Sequence, residues 1–286
     1  MLIIITGQTA TGKTKLAQDF AKKYDGELVN FDSRQVYKYL DIITGKDKST
    51  MKQFNNETIW LYDIVTPDQY FSSYDFVQQA TKVIKDIQKR GKTPILVGGS
   101  YFYLKHLLYG FENKVPPNFK LREKLNKKSV SQLQEILKKL DVQSINQLNN
   151  SDRNNPRRLI RKIEIHLGKE AERARSWNQK ISVSSFSITG LRYKNKENLV
   201  NAIKSRVEKR LKQGAIREVK SLLKRGYKKT DPGLKTIGYQ QIISYLEGKI
   251  SKQEAIKQWI TAEVQYAKRQ NTFMKNDKNI NWLEID

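Results

Sequence analysis

The sequence predicts an α/β fold in which a parallel sheet carries helices on both faces, with a helical insertion and C-terminal helices added. Three observations predict it. Short apolar strands alternate with helical stretches through the first hundred residues. A complete phosphate-binding motif follows the first strand. Beyond residue 113, helical spacing dominates, and the next strand pattern begins only at residue 183.

The first part of the chain supplies most of the predicted strands. They are Leu2–Thr6, Glu27–Phe31, Ile59–Ile64 and Pro94–Val97, and helical stretches separate them, notably Tyr74–Lys89. In parallel sheets of this kind, ligands lie at the carboxyl ends of the strands. Polar residues that directly follow a strand are therefore the first candidates for a functional site.

The rest of the chain is predicted to be mostly helical. The insertion contains helical patterns at Leu121–Lys127, Val130–Lys139, Ser144–Leu148 and Arg157–Leu167. A strand is expected at Val183–Gly190, then helices at Lys196–Gln213, Ile216–Arg225, Ile237–Glu247 and Lys252–Lys275, and a last strand at Ile280–Ile285. Glycines at 214, 226, 238 and 248 mark helix ends or turns. We therefore expect a core of residues 1–113 and 183–286 and a helical insertion of residues 114–182.

The first strand leads into the motif G-x-x-x-x-G-K-T, which consists of Gly7, Gln8, Thr9, Ala10, Thr11, Gly12, Lys13 and Thr14. A strand before the motif and a helix after it form the context in which such a loop binds phosphate. Its backbone N–H groups and the helix N-terminus make a positive anion site. Lys13 adds a point charge for the β phosphate, and the Thr14 hydroxyl can ligate Mg²⁺. The motif predicts a phosphate-loop NTPase-like sheet but leaves the phosphate compound open.

Two further polar clusters follow predicted strands. Asp32-Ser33-x-Gln35 comes after Glu27–Phe31, and Gly98-Gly99-Ser100 comes after Pro94–Val97. Asp32 suits a general base or a Mg²⁺ ligand, and Gln35 suits a nucleobase edge. Helix capping by Asp32 or Ser100 explains the same residue types equally well. Asp63, at the end of a predicted strand, matches either a metal-site aspartate of phosphate-loop NTPases or a plain turn.

Charge is distributed unevenly along the chain. Residues 1–113 carry 15 Lys and Arg against 12 Asp and Glu, whereas the remaining residues carry 39 against 17. A small-molecule kinase does not need this excess, but a polyanionic partner does. The densest cluster is Arg157, Arg158, Arg161 and Lys162, just after Pro156 at a predicted helix start. These numbers favour nucleic-acid binding over a solvated basic face.

Composition excludes several other classes. The chain of 286 residues contains no cysteine and only two histidines, so thiolate and histidine metal sites are excluded. No apolar run is long enough to span a membrane, and no signal peptide is visible. We expect a cytoplasmic enzyme with no membrane partner.

Taken together, the motifs resemble those of the tRNA dimethylallyltransferases. The family's loop, its D-S-x-Q-V-Y segment and its G-G-T turn are similar to Gly7–Thr14, Asp32–Tyr37 and Gly98–Ser100. Segments similar to the family's basic helix start and its Y-A-K-R-Q stretch occur at Asn154–Glu164 and Tyr266–Gln270. The departures are Ser100 for Thr, Tyr101 for Gly, Val264 for Arg and Arg34 for Met.

The resemblance implies a reaction. A dimethylallyl group moves from its diphosphate to the exocyclic amine of the adenine 3′-adjacent to certain tRNA anticodons. Asp32 would be the general base, and Ser100 would assist it by hydrogen bonding. The phosphate loop and Arg206 would hold dimethylallyl diphosphate, with Thr14 on Mg²⁺, and ATP would not be a required reactant.

The resemblance also implies an RNA surface. The residues expected to contact the tRNA anticodon stem-loop are Asp32, Ser33, Arg34, Gln35, Ser100, Arg122, Arg157, Arg158 and Arg161. The target adenine has to leave its stack to enter the site, and we expect the protein to act as a monomer. Three alternatives remain: a phosphate-loop kinase, an adenylate isopentenyl transferase acting on free nucleotide, and a non-catalytic RNA-binding protein.

Overall fold

The computed structural model describes residues 1–46, 59–111, 115, 117–168 and 185–286. Within them, one five-stranded sheet has the order β2-β3-β1-β4-β5, and all of its ladders are parallel. The strands are β1 Leu2–Gly7, β2 Gly26–Asn30, β3 Thr93–Val97, β4 Phe186–Tyr193 and β5 Ile280–Ile285. The predicted α/β class is therefore confirmed.

The helices are numbered in chain order. The sheet unit contains α1 Lys13–Lys23, α2 Ser73–Lys89, α3 Tyr101–Tyr109, α9 Lys196–Lys212, α10 Ala215–Lys224, α11 Tyr239–Leu246 and α12 Lys252–Met274. Between α3 and β4 lie α4 Phe119–Leu125, α5 Val130–Leu140, α6 Val142–Asn146, α7 Asn150–Arg153 and α8 Pro156–Gly168. Of the described helices, none is long and apolar enough to cross a membrane.

The two faces of β1 pack against helices from opposite ends of the chain. Ile3 and Ile5 are buried against α1 through Ala17 and Ala21. On the other face, the Thr6 hydroxyl lies 3.4 Å from the sulfur of Met274, the last residue of α12. Because side chains alternate across a strand, a continuous apolar run such as Leu2–Ile5 fits a strand buried on both sides. The C-terminal helix is thereby placed beside the strand that carries the phosphate loop.

Helix ends follow the signals in the sequence. Ser72 caps α2 in a reciprocal capping box with Asp75. Gly214 and Gly238 occupy the N-caps of α10 and α11 with positive φ, and Gly226 and Gly248 follow the ends of those helices, also with positive φ. The four predicted glycine positions are confirmed.

The predicted strand Ile59–Ile64 is wrong. Trp60 makes a single parallel bridge to Val29, and its N–H and C=O hydrogen-bond to Leu28 and Asn30. Leu61 and Asp63 then have φ values of 67° and 57°, which an extended strand does not accommodate. The segment therefore adds one bridge at the β2 edge and no strand. The fourth strand is shifted from its predicted bounds to Phe186–Tyr193, and predicted residues 183 and 184 lie outside the described ones.

The chain divides into two compact units, Met1–Tyr109 with Lys180–Asp286, and Gly110–Gln179. The described part of the smaller unit is helical and has a core of its own. Its buried residues are Leu125, Leu133, Leu137, Ile145, Leu159, Ile160 and Ile163. The larger unit contains the sheet and every residue of the phosphate loop.

Candidate active site

The phosphate loop connects β1 to α1, and no side-chain hydrogen bond caps the N-terminus of that helix. Gly7 has φ 135°, and a Cβ there would lie 2.1 Å from the Leu191 carbonyl oxygen, so no other residue fits. Gly12 takes the N-cap in the left-handed region, makes no side-chain cap and precedes a first turn without acidic residues. The backbone N–H groups of this turn are thus available to an anion.

Two cations border the loop. Lys13 is half-buried, and its Nζ donates to the Gln8 carbonyl oxygen at 2.5 Å. Burial, together with the nearby Arg206 guanidinium, lowers the pKa of Lys13 to about 7 against the opposing charge of Asp32. Arg206 on α9 donates from Nη1 to the Thr9 hydroxyl at 2.5 Å. The structure therefore brings together three residues that the sequence separates widely, Lys13, Asp32 and Arg206.

The turns after β2 and β3 meet at Ser100. The Ser100 Oγ accepts the Ser33 N–H at 2.9 Å and donates to the Ser33 Oγ at 3.1 Å. Asp32 donates its own N–H to the Asn30 Oδ1 at 2.8 Å, and its Oδ1 accepts the Arg34 N–H at 2.9 Å. These bonds hold the Asp32 carboxylate in a fixed turn at the carboxyl edge of the sheet.

Two side chains that the sequence suggested for ligand contacts, Gln35 and Asp63, have partners inside the protein. Gln35 donates its amide to the carbonyl oxygens of Thr44 and Gly45, each at 3.2 Å. Asp63 pairs with Lys46 at 2.5 Å, and Lys46 also contacts Asp41 at 3.0 Å. Asp63 belongs to a loop ion-pair network, whereas the sequence left a metal-site role open. In the described part of the chain, no group of three or more His, Cys, Asp or Glu residues could hold a metal ion.

The C-terminal helix contributes two residues to the site, Tyr266 and Gln270, to which the sequence analysis assigned no role. Gln270 is buried; its Oε1 accepts the Thr9 N–H at 2.8 Å, and its Nε2 donates to the Gly99 carbonyl oxygen at 2.9 Å. One turn earlier, the Tyr266 phenol interacts with Ser100, and burial, together with the charge of Asp32, raises its pKa. The sequence signals were the i,i+4 spacing of these two residues and the resemblance of their segment to a family motif.

A buried ion pair holds α9 against α12. Arg210 is 4% exposed and contacts Glu263 at 3.2 Å. Trp259 donates its indole N–H to the same carboxylate oxygen at 3.3 Å. Burial and the neighbouring Arg206 lower the pKa of Arg210. The pair thereby joins the helix that carries Arg206 to the C-terminal helix.

In the smaller unit, the predicted RNA-contacting arginines differ in their partners. Arg122 makes two hydrogen bonds to the buried Glu164, at 2.8 Å and 2.7 Å, and Arg161 binds Glu164 and the Val115 carbonyl oxygen. Burial opposes ionisation of Glu164, but these arginines and the Asn118 N–H hold its pKa below the usual value. Arg158 pairs with Asp152, whereas Arg157 and Lys162 are exposed. Arg122 and Arg161 thus have a structural role, and their contact with RNA stays a prediction.

The fold and the site define a class: a phosphate-loop α/β enzyme whose site combines an open anion loop, two cations and a fixed carboxylate. The family model of the IPP transferases matches residues 35–277. The tRNA dimethylallyltransferase of Thermoanaerobacter sp. (strain X514) is 36% identical, and the alignment covers 100% of this chain and 92% of that protein.

Solved structures agree with this match. The tRNA isopentenylpyrophosphate transferase of Bacillus halodurans has a TM-score of 0.71 at 31% identity, over 100% of this chain and 91% of that one. A eukaryotic dimethylallyltransferase acting on tRNA has a TM-score of 0.79 at 26% identity, over 99% and 73%. The chain therefore belongs to the tRNA dimethylallyltransferase family of prenyl-transferring enzymes, and the resemblance drawn from the sequence is confirmed.

Proposed function

We propose that this protein transfers a dimethylallyl group from dimethylallyl diphosphate to the N6 amine of the adenine 3′-adjacent to the anticodon in certain tRNAs. The observation that carries the proposal is the placement of Asp32 and Ser100 beside the open phosphate loop and its cations, Lys13 and Arg206. We further propose that it acts as a cytoplasmic monomer.

The diphosphate fits the loop because its negative charge and acceptor oxygens match the positive charge and N–H donors of the loop. The loop offers backbone N–H groups, a helix N-terminus and Lys13, and Arg206 adds a second cation. A charge-assisted contact from each cation is strongest where water is excluded, and Lys13 is half-buried. These groups stabilise the charge that develops on the diphosphate as it leaves.

In the transfer step, the adenine N6 attacks the C1 carbon of the dimethylallyl group. A nitrogen–carbon bond forms, the carbon–oxygen bond to the diphosphate breaks, and the electron pair of that bond leaves with the diphosphate. The N6 nitrogen is then positively charged, and the Asp32 carboxylate accepts one of its protons. Ser100 holds the turn of Asp32 in place through its two contacts with Ser33.

Mg²⁺ fits as an ion held mainly by the substrate. Thr14 lies in the first turn of α1 and offers a hydroxyl oxygen, while diphosphate oxygens and water would complete a set of hard donors. When bound, the ion would neutralise part of the diphosphate charge. The described residues contain no carboxylate cluster for a metal cage, which agrees with this arrangement.

Transfer of radiolabel tests the proposal. The protein is incubated with labelled dimethylallyl diphosphate and either tRNA or AMP, and in parallel with labelled ATP. We expect label in tRNA, located at N6 of one loop adenine. Label in AMP alone would instead assign an adenylate isopentenyl transferase. Phosphoryl transfer from ATP would assign a kinase, and tRNA binding without any transfer a non-catalytic protein.

A further inference from the structure

Tyr39 is a large side chain in a backbone conformation that large side chains rarely adopt. Its φ is 67°, in the left-handed region, and the residue is 42% exposed. A strained residue persists only where its surroundings hold it, and such residues cluster at binding sites. Its strain and its exposure make Tyr39 a candidate for contact with a ligand.

Two further side chains complete a stacking surface around Tyr39. The Arg225 guanidinium lies 4.6 Å from the centre of the Tyr39 ring. The Tyr227 ring lies 6.3 Å from it, with an angle of 37° between the planes. Arg225 is exposed at the C-cap of α10. We name Tyr39, Arg225 and Tyr227 the Tyr39 platform.

The platform consists of two chain segments, one with Tyr39 and one with Arg225 and Tyr227, and both lead to the Asp32 turn. Tyr39 lies on the same loop as Asp32. The segment after Tyr227 contacts the Asp32 turn, because Arg34, two residues after Asp32, donates from Nη1 to the Pro232 carbonyl oxygen at 3.4 Å. Exposed Lys38 and Lys228 flank the platform with positive charge. This surface matches a ligand that extends from Asp32 to the platform and contains both aromatic rings, for stacking, and phosphates, for the lysines.

We propose that the Tyr39 platform stacks an unpaired base of the RNA substrate next to the adenine that is modified. Aromatic rings and arginine planes are the groups on which proteins stack the bases of single-stranded RNA. The proposal rests on the proposed function, since it names a contact of the same tRNA substrate. The platform would contribute to the affinity for RNA only. Diphosphate binding would depend on Lys13 and Arg206, and the transfer step on Asp32.

The test uses Tyr39→Gly, which removes the ring and relieves the backbone at the same time. We expect an unchanged or higher Tm, a rise in the KM for tRNA of about 5- to 150-fold, the range that one stacked base supplies, and an unchanged KM for dimethylallyl diphosphate. Arg225→Met is expected to shift the same constant in the same direction.

Tyr24→Ala is the matched control. Tyr24 is 38% exposed and also has a lysine over its ring, Lys23 at 5.2 Å, but it lies at the end of α1 away from the loop. An unchanged KM for tRNA in folded Tyr39→Gly would overturn the proposal. A lower Tm with both KM values altered would also overturn it, because the ring would then be structural.

A binding measurement separates this proposal from the proposed function. An anticodon stem-loop RNA with 2-aminopurine in the loop is titrated with wild type and Tyr39→Gly, without any diphosphate. Stronger quenching by the wild type supports the platform whether or not transfer occurs. Equal quenching counts against the platform even if wild type prenylates tRNA normally.

Discussion

Asp32 lies just beyond β2, and its turn is fixed by hydrogen bonds on both sides. Asp32→Asn keeps the oxygen that accepts the Arg34 N–H but removes the base. We expect turnover to fall by roughly 10²–10⁴-fold, the usual contribution of a positioned general base. The affinity for dimethylallyl diphosphate should change little. Single-turnover transfer and equilibrium binding measure the two effects.

Asp25→Asn is the control for that variant, because it makes the same charge change at the opposite end of β2. Its side chain is 85% exposed and lies 3.7 Å from Lys92. Near-full turnover is expected for this control. Near-full turnover in Asp32→Asn as well would remove Asp32 from the reaction.

Lys13 makes diphosphate binding depend on pH. Its pKa is lowered to about 7 in the free protein, so above pH 7 the lysine is mostly neutral there. A bound diphosphate favours the charged form and raises this pKa, so binding takes up a proton. Affinity is therefore expected to fall as pH rises above 7, by up to tenfold per unit. Calorimetry at pH 8 in buffers of different ionisation enthalpy measures the uptake, which should disappear in Lys13→Met.

At the scale of elements, the contact between α9 and α12 determines where Arg206 and Gln270 lie. Arg210→Met leaves the buried Glu263 without its cation, and we expect a loss of about 3–5 kcal/mol in the free energy of unfolding. The double variant Arg210→Met with Glu263→Leu should recover most of it. Urea unfolding measures both.

Lys229→Met is the comparison for this pair. Lys229 contacts Glu247 at 3.1 Å, and both side chains are more than a third exposed. The expected loss is about 0–1 kcal/mol, as for other surface pairs. Similar losses at Arg210 and Lys229 would contradict a stabilising role for the buried pair.

Elements formed from neighbouring residues were predictable. The apolar run before Gly7 and the helical spacing after Lys13 lie in one short stretch, and the structure has both elements there. Ile59–Ile64 looked equally apolar, but two positive φ values interrupt it. Gln270 was not predicted, because its contact with Thr9 joins residues 261 positions apart. For Arg122 and Arg161 the sequence predicted contact with RNA and did not reveal their shared partner, because Glu164 is an isolated acid in a basic segment.

At the scale of the whole molecule, charge is expected to set the salt dependence of RNA binding. Arg157 and Lys162 are exposed cations of the smaller unit. If both contact phosphates, their replacement by Ala should reduce the slope of log affinity against log salt by about 1.4–1.8. All tRNAs should be weakened by similar factors, because phosphate contacts carry no sequence information. Titrations at several salt concentrations measure the slope.

The control for salt dependence is Lys82→Ala with Lys85→Ala, on the exposed side of α2 in the nearly neutral first part of the chain. It removes the same charge, and its slope should match that of the wild type. Equal slopes for wild type and the Arg157 and Lys162 variant would place the RNA surface elsewhere. Arg122 and Arg161 are left intact, because replacing them would leave the buried Glu164 carboxylate without its paired cations.

The order of strands in the sheet has a consequence for synthesis on the ribosome. β1 lies between β3 and β4, yet β4 follows it by more than 170 residues. At translation rates of about 5–20 residues per second, β1 waits roughly 10–35 s for that neighbour. The smaller unit leaves the ribosome complete during this interval. Slow synthesis between residues 110 and 185 would therefore lengthen the time for which a strand of four consecutive apolar residues is exposed to chaperones.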